Sequence, residues 1–307
     1  MNTLLSTRIH QRILSKKNRL DAHRPIASSL VRKIQEEMQI EYIYNSNAIE
    51  GNTLNLRETQ LVLEQGMTIG GKSLREHLEA QNHPEALSYI EGIAKRELRE
   101  TDIFTLHQIV MKGLVEDAGR YRTGEVRHRG SEHIPPPAYN VPFLIQEMIE
   151  WYNKNPSELV PIELAAVLHY KFEEIHPFSD GNGRVGRLVL NVALLKNGYP
   201  MAVIRQLDRG KYLNAIDKAD KGNLHPIVKL VASAVEQSLD LYLRAVEPTQ
   251  EPLQSVSQVS TGTPFSAEYL SLLARKGRIP AIKVGRNWMM TKGTIREYVR
   301  ETEKRAT

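Results

Sequence analysis

The residues best suited to chemistry lie between His176 and Arg187, in the sequence HPFSDGNGRVGR. Its glycines allow backbone N–H groups to converge on an anion, and a helix that begins there adds the partial positive charge of its N-terminus. Arg184 and Arg187 are three residues apart and share one face of that helix's first turn. Two guanidinium groups beside such a nest of amides suit a polyphosphate better than a single carboxylate.

Two further side chains in this stretch could act on a bound polyphosphate. Asp180 is its one carboxylate, and a carboxylate beside phosphate groups is a natural ligand for Mg²⁺. His176 lies at the end of the preceding apolar segment, where it could take a proton from an attacking hydroxyl. A single histidine, turn or arginine pair is common on protein surfaces, but their concentration in one turn predicts a site for chemistry on a polyphosphate.

Two apolar helices are expected to hold this stretch. The segment before it, ELAAVLHYKFEEI, has apolar residues at helical spacing, and Pro177 ends that helix near His176. The segment after it, RVGRLVLNVALLKNG, is a second apolar helix that Gly198 closes. The sequence therefore predicts a tight helix–loop–helix turn with its polar residues in the loop.

Helical periodicity dominates the rest of the chain and predicts a mainly α fold. The predicted helices span residues 27–44, 53–66, 74–95, 102–116, 142–153, 161–175, 184–197, 209–219 and 224–244. The main strand candidate is Thr123 to Ile134, where a Gly-Ser turn and three following prolines are typical of a short exposed hairpin or flap.

The composition is that of an ordinary soluble globular protein. Apolar residues make up 41% of the 307 residues and charged residues 25%, and no apolar run reaches the ~20 residues of a membrane helix. The absence of cysteine excludes disulfides and cysteine-ligated metals and fits a cytoplasmic location. The formal net charge of +5 is compatible with phosphorylated ligands or nucleic acid and decides between neither.

The stretch from His176 resembles the signature of the Fic family, His-x-Phe-x-Asp/Glu-Gly-Asn-Gly-Arg-x-x-Arg. Every defined position is present, and roughly residues 20–245 resemble a Fic domain with its usual N-terminal extension. The resemblance implies a Fic-type helical bundle with a small β-hairpin flap. It also implies transfer of AMP from Mg-ATP to a Ser, Thr or Tyr hydroxyl of a target protein, with release of pyrophosphate.

The resemblance also implies a role for each matching residue. His176 is the expected general base, Asp180 the Mg²⁺ ligand, and Phe178 the anchor of the loop in the core. The expected nucleotide-binding residues are Gly181, Asn182 and Gly183 for the α- and β-phosphates, Arg184 for the β-phosphate, Arg187 for the γ-phosphate, and Tyr212 in the pocket wall. The flap, including His133 and Ile134, is expected to align a backbone segment of the target by strand addition.

The residue at position 183 bears on the reaction type. The phosphotransferase branch of the superfamily, the Doc toxins, typically has lysine at the position of Gly183. A glycine here favours nucleotidyl transfer over phosphoryl transfer, because a bulky cation would reposition the phosphates.

A second motif, Ser46 to Asn52 with the sequence SNAIEGN, follows an apolar helix. Glu50 is disfavoured at the negative end of that helix, so its presence suggests a cationic partner. The motif resembles the Fic inhibitory motif, Ser/Thr-x-x-x-Glu-Gly/Asn, which Ser46, Glu50 and Gly51 fit. The resemblance implies that Glu50 pairs with Arg187 and holds ATP in a non-productive pose. A homodimer is one expected way to hold or release this helix.

The segment after residue 262 resembles an excisionase-like winged helix-turn-helix, on SAEYLSLLARKGRIPAIKVGRNW. Its basic residues, Arg275, Lys276, Lys283, Arg286 and Lys292, suggest DNA binding, although the first helix of the usual pair is hard to find and the module could serve protein contacts instead. The predicted domains are a helical region at 1–95, a catalytic core at 96–245, a linker at 246–262 and a winged-helix-like domain at 263–307.

The predicted function is that of a protein adenylyltransferase that Glu50 inhibits. Two alternatives stay open. The same site could remove AMP from a protein or use another nucleotide, such as UTP. The chain could also be a DNA-binding regulator whose Fic domain modifies only itself.

Overall fold

The computed structural model describes residues 4–26, 28–126, 134–247, 251–276, 278–284 and 287–306. The chain divides into two compact units, residues 1–239 and 240–307. The first unit is built of helices: α1 Thr7–Ala22, α2 Ser28–Ile49, α3 Leu56–Gln65, α4 Leu74–Gln81, α5 His83–Ile93, α6 Glu100–Val110, α7 Val141–Lys154, α8 Pro161–Ile175, α9 Asn182–Lys196, α10 Arg209–Asp220 and most of α11 His225–Val246, which extends past residue 239. Short 3-10 turns at Ala138–Asn140 and Gln206–Asp208 precede α7 and α10. The prediction of a mainly α fold is confirmed.

Helix α9 forms the centre of the first unit. It packs along α8 and also contacts α2, α5 and α6. Twelve of its fifteen residues are buried, which explains why its sequence is apolar on every side. The loop between α8 and α9 is therefore fixed at both ends by core helices.

The boundaries of α8 follow from its prolines. Pro161 stands in the first turn, where its missing N–H costs nothing, and the helix ends at Ile175 before Pro177. His176 follows in the left-handed conformation, with φ at 50°. The predicted helix and its predicted end are both confirmed.

Two helix predictions were wrong, and one helix was missed. The single helix predicted over 74–95 is two helices, because Pro84 cannot donate a backbone hydrogen bond to a preceding turn and instead stands in the first turn of α5. The helix predicted over 102–116 ends at Val110, before Gly113 turns the chain with φ at 73°. Helix α1 was not predicted, since it has few buried residues and a strongly polar sequence.

The second unit has its own small core. A three-stranded antiparallel sheet has the order β1 Gln254–Ser255, β3 Asn287–Met290 and β2 Ile282–Val284. Helices α12 Val256–Ser260, α13 Ala267–Arg275 and α14 Lys292–Ala306 accompany it. The shared core contains Val256, Val259, Leu270, Leu273, Ile279, Met290 and Ile295.

The linker predicted at 246–262 is corrected by these elements. Strand β1 and helix α12 lie inside it, and Val256 and Val259 are 5% and 1% exposed in the core of the second unit. A capping box between Ser255 and Gln258 begins α12. The polar composition concealed a helix of only five residues, which stands where the first helix of the predicted pair was hard to find.

Within the part of the chain that the structure describes, no helix is both long and apolar enough to cross a membrane.

Candidate active site

The loop after α8 is held from within by its own side chains. Asn182 accepts a hydrogen bond from the backbone N–H of Phe178 at 2.9 Å and donates one to the Phe178 carbonyl at 2.8 Å. Gly181 has φ at 81°, and a Cβ there would lie 2.5 Å from the sulfur of Met111. Only glycine accommodates both the positive φ and the close approach of Met111. Gly181 therefore fixes how the loop approaches the start of α9.

Phe178 anchors the loop in the core, as predicted. It is fully buried and stacks on His107 of α6, with ring centroids 3.7 Å apart. His107 accepts a hydrogen bond from the N–H of Gly119 through Nδ1, so its Nε2 donates to the carbonyl of Asp180 at 3.0 Å. Burial lowers the pKa of His107 to about 4, which keeps the ring neutral and its tautomer fixed at neutral pH.

Arg187 is the largest fully buried side chain of the site, and three groups from Ser46 and Glu50 contact its guanidinium. Its Nε donates to the Ser46 hydroxyl at 3.0 Å and its Nη2 to the Ser46 carbonyl at 2.8 Å. Its Nη1 lies 2.9 Å from the Glu50 carboxylate. Burial alone lowers the pKa of Arg187, but Glu50 and the neighbouring Tyr212, Tyr42 and Glu173 together raise that pKa above its ordinary value.

Glu50 lies directly over the first turn of α9. A Cβ placed on Gly183 would be 2.2 Å from the nearer carboxylate oxygen of Glu50. The carboxylate therefore fills the space above the glycine and beside Arg187, at the positive end of a helix. An anion at this place is electrostatically favoured.

A closed ring of four ion pairs surrounds the other side of the loop. Asp180 contacts Arg184 at 3.1 Å and Arg75 at 2.5 Å. Glu79 contacts the same two arginines, Arg184 at 3.0 Å and Arg75 at 3.2 Å. Arg75 and Glu79 are on α4, so an element outside the loop supplies half of the ring.

The ring keeps Asp180 ionised. Burial raises the pKa of this carboxyl, but Arg184, the N–H of Gly181 and Arg75 together bring it below its ordinary value. Asp180 remains 43% exposed in its side chain, which leaves it accessible to a cation from solvent. Among the described residues there is no group of three or more His, Cys, Asp or Glu side chains arranged for a metal. A single carboxylate next to an anion site suits Mg²⁺, which takes one or two carboxylates together with phosphate oxygens and water.

Tyr212 lies behind Arg187 in the core. It is 3% exposed, its hydroxyl is 3.0 Å from Nε2 of His169, and its ring centroid is 6.0 Å from the Arg187 guanidinium carbon. The role of Tyr212 in the wall of the nucleotide pocket stays a prediction. Nearby, burial raises the pKa of Glu173 to about 8, against an opposing effect of Arg187, so this carboxyl is protonated at neutral pH.

The predicted site residues of the loop and of the inhibitory motif come together around the start of α9. Ile134 is described and 72% exposed. His133 lies outside the described residues, as does most of the predicted hairpin, residues 127–133.

Sequence reasoning did not single out Arg75, Glu79 or His107 as members of the site. Each belongs to a helix that is far from the loop in the chain, and each looks like an ordinary member of an amphipathic helix. The one available signal was Ser73, which with Glu76 forms a capping box and so places Arg75 and Glu79 on one helix.

Comparison with known proteins agrees with this geometry. Residues 97–194 match the model of the Fic/DOC family. The chain is 37% identical over 259 residues to the protein adenylyltransferase Fic of Drosophila virilis, covering 81% of this chain and 53% of that protein. It is 35% identical over 283 residues to the Aedes aegypti protein of the same name, covering 87% and 56%. The chain thus spans about half the length of the curated relatives it matches.

Solved structures extend the similarity to three dimensions. Fic-1 of C. elegans, residues 134–508, superposes with a TM-score of 0.70 at 33% identity, over 78% of this chain and 73% of that one. A Fic domain-containing signalling protein from Bacteroides thetaiotaomicron superposes with a TM-score of 0.71 at 29% identity, over 78% and 97%.

Proposed function

Because this chain belongs to the Fic/DOC family, we propose that it transfers AMP from Mg-ATP to a side-chain hydroxyl of a protein. The observation that carries the proposal is the complete loop between α8 and α9, in which two buried arginines and a glycine turn surround the head of a helix. This arrangement is built for a polyphosphate with a cation at its edge.

The residues divide the reaction between them. His176 takes the proton of the attacking hydroxyl, whose oxygen forms a bond to the α-phosphorus while the bond from that phosphorus to the bridging oxygen breaks. Pyrophosphate leaves, and its charge is stabilised by Arg184, Arg187 and the N–H groups at the head of α9. Asp180 holds Mg²⁺, which when bound neutralises charge on the phosphate oxygens.

The position of Glu50 supports intramolecular inhibition. Its carboxylate occupies the space over Gly183 and the Nη1 of Arg187, both of which a terminal phosphate of ATP needs. With Glu50 in place, the triphosphate has to bind in another pose, and the α-phosphorus is not in line with the attacking oxygen.

The experiment that tests the proposal uses ATP labelled at the α-phosphate. We expect Glu50→Gly protein with Mg²⁺ to become labelled, and the wild type and the Glu50→Gly/His176→Ala protein to stay unlabelled. Absence of label in all three, with cell lysate as acceptor, contradicts AMP transfer. It would favour AMP removal or another nucleotide, which an AMP-modified substrate and labelled UTP test directly.

We propose a second, independent function for residues 251–306, namely binding to duplex DNA. Helix α13 ends in a group of exposed basic residues, Arg275, Lys276 and Arg278, on a unit with its own core. Exposed arginines and lysines at the end of a helix in a helix-turn-helix unit are suited to phosphate contacts. The salt dependence of DNA binding by the full chain tests this proposal.

A further inference from the structure

Arg122 is a buried arginine that holds the end of α8. It lies after α6, is 4% exposed, and donates from Nε to the carbonyl of His176 at 2.8 Å. Its Nη2 lies 3.4 Å from the carbonyl of Ile175, and its own backbone N–H donates to the carbonyl of Pro177 at 3.0 Å. Arg122 therefore contacts the backbone carbonyls of three successive residues, Ile175, His176 and Pro177.

These carbonyls need such a partner. The last carbonyls of a helix have no N–H partner inside the helix, and they carry its partial negative charge. His176 also departs from the helix with φ at 50°, a conformation that a non-glycine residue adopts only when its surroundings hold it there. The guanidinium of Arg122 satisfies the carbonyls and fixes the turn from which the imidazole projects.

The other end of the same guanidinium reaches a different part of the chain. Nη1 donates to the carbonyl of Gly124 at 3.0 Å, and Nη2 donates to the carbonyl of Pro136. Gly124 and Pro136 lie on the two described stretches that flank residues 127–133. One planar group thus binds the main chain of His176 and both of these stretches.

The burial of Arg122 indicates that this arrangement is specific. Burial lowers the pKa of Arg122, and the charge of Glu125 offsets part of that cost. All four hydrogen-bond acceptors described for its side chain are backbone carbonyl oxygens. Lysine cannot reproduce the contacts, because its single ammonium cannot reach carbonyls on opposite sides of a fork.

We propose that Arg122 is a positioning residue that sets the main chain of His176 against the two stretches that flank residues 127–133. The catalytic part of this inference rests on the proposed function, in which His176 takes the proton. Arg122 has no contact with the arginines or the glycines of the phosphate site among its described hydrogen bonds. Its loss therefore acts on the proton transfer and leaves nucleotide affinity in place.

The first test separates rate from affinity in the Glu50→Gly background. We expect Arg122→Met and Arg122→Lys to lower the single-turnover rate of self-modification roughly tenfold to a hundredfold, as a misplaced base does. The dissociation constant of a fluorescent, non-transferring ATP analogue changes less than about twofold. Arg96→Met serves as the control, because it breaks the ion pair of another arginine with the buried carboxylate of Asp102, away from the loop.

The second test is independent of activity. Hydrogen exchange in the full chain is expected to accelerate together in peptides covering residues 121–126, 134–140 and 174–179 of Arg122→Met, and in none of the three for Arg96→Met. Three results would each overturn the inference: acceleration at only one stretch, an unchanged transfer rate in Arg122→Met, or a loss of transfer rate that nucleotide affinity matches. If Glu50→Gly itself transfers no AMP, the proposed function fails while the exchange measurement still decides whether Arg122 joins these stretches.

Discussion

The Glu50 carboxylate lies in the space next to Gly183 at the N-terminus of α9. The missing side chain of Gly183 leaves room for the Glu50 carboxylate in the resting protein. In the proposed reaction the same room receives phosphate oxygens. In the proposed mechanism a single glycine thus serves both the inhibited and the active arrangement, and we expect its replacement and the replacement of Glu50 to have different consequences.

We expect Gly183→Ala to expel Glu50 without activating the chain. The added methyl group lies 2.2 Å from a Glu50 oxygen and 3.1 Å from Nη1 of Arg187, so it breaks the pair. It also fills the space that phosphate needs, and ATP-analogue affinity falls at least about tenfold in the Glu50→Gly background. Labelled-AMP transfer by Gly183→Ala above the wild-type level would contradict this account.

A pH prediction concerns His83, which is fully buried beside the site. Burial lowers its pKa from 6.5 to about 3, so the folded chain keeps the ring neutral while the unfolded chain gains a proton below pH 6.5. The stabilising contribution of the neutral ring is complete above pH 6.5 and declines as the pH falls toward 3.

We expect this decline to disappear in His83→Gln. The decrease in the free energy of unfolding that the substitution causes should be smaller at about pH 5.5 than at about pH 7.5, by about 1.4 kcal/mol. Urea denaturation of both proteins at the two pH values measures the difference. An equal decrease at both values would show that His83 titrates alike in the folded and unfolded chains.

At the scale of elements, α4 contributes Arg75 and Glu79 to the candidate site, and α2 contributes Ser46. The Arg75 guanidinium holds Asp180, the residue proposed to bind Mg²⁺, in the position where a cation is expected. Both side chains are close to half exposed, so the pair is weak and readily displaced.

We expect Arg75→Ala to lower the Mg²⁺ concentration that half-saturates ATP-analogue binding, by up to about fivefold, because the metal no longer competes with a guanidinium. Direct Mn²⁺ binding, followed by electron paramagnetic resonance, should shift by the same factor. Arg57→Ala is the control, since it removes an exposed charge whose described partner is Gln60. Equal metal dependence in all three proteins would rule out the competition.

The helices and the loop could largely be predicted from the sequence, because they are determined by local signals. Pro177 ends α8, and the apolar run after Arg184 identifies α9. The ring around Arg184 could not be predicted, since it depends on the packing of α4 against a loop about a hundred residues away. Helix α12 was missed for a different reason, because two valines in a serine-rich stretch carry too little periodicity.

At the scale of the molecule, the chain contains a helical unit and a smaller second unit that has its own core. The proposed partner of the first unit is a target protein, and that of the second is duplex DNA. We expect the full chain to bind duplex DNA with an affinity that falls steeply as salt rises. Replacing Arg275, Lys276 and Arg278 with alanine should reduce the slope of log affinity against log salt by about one for each phosphate that is no longer neutralised.

The matched control replaces three exposed basic residues of the first unit, Arg57, Lys95 and Lys112, and removes the same charge. An identical reduction of slope in both triple variants would indicate attraction by net charge alone. DNA binding by the control but not by the α13 variant would assign the contact to the second unit.

Helix α2, which precedes Glu50, is fixed to the core by hydrogen bonds that do not involve Glu50. Asn45 accepts from the N–H of Gln206 at 2.8 Å, Asn47 donates to the carbonyl of Glu79 at 3.1 Å, and the carbonyl of Ile49 accepts from Arg209 at 2.7 Å. Glu50 stands beyond the end of α2 and is 38% exposed, so a rotation of its side chain leaves all three bonds intact. Under the proposed inhibition, relief therefore needs only a change in the rotamer population of Glu50 and no movement of a helix.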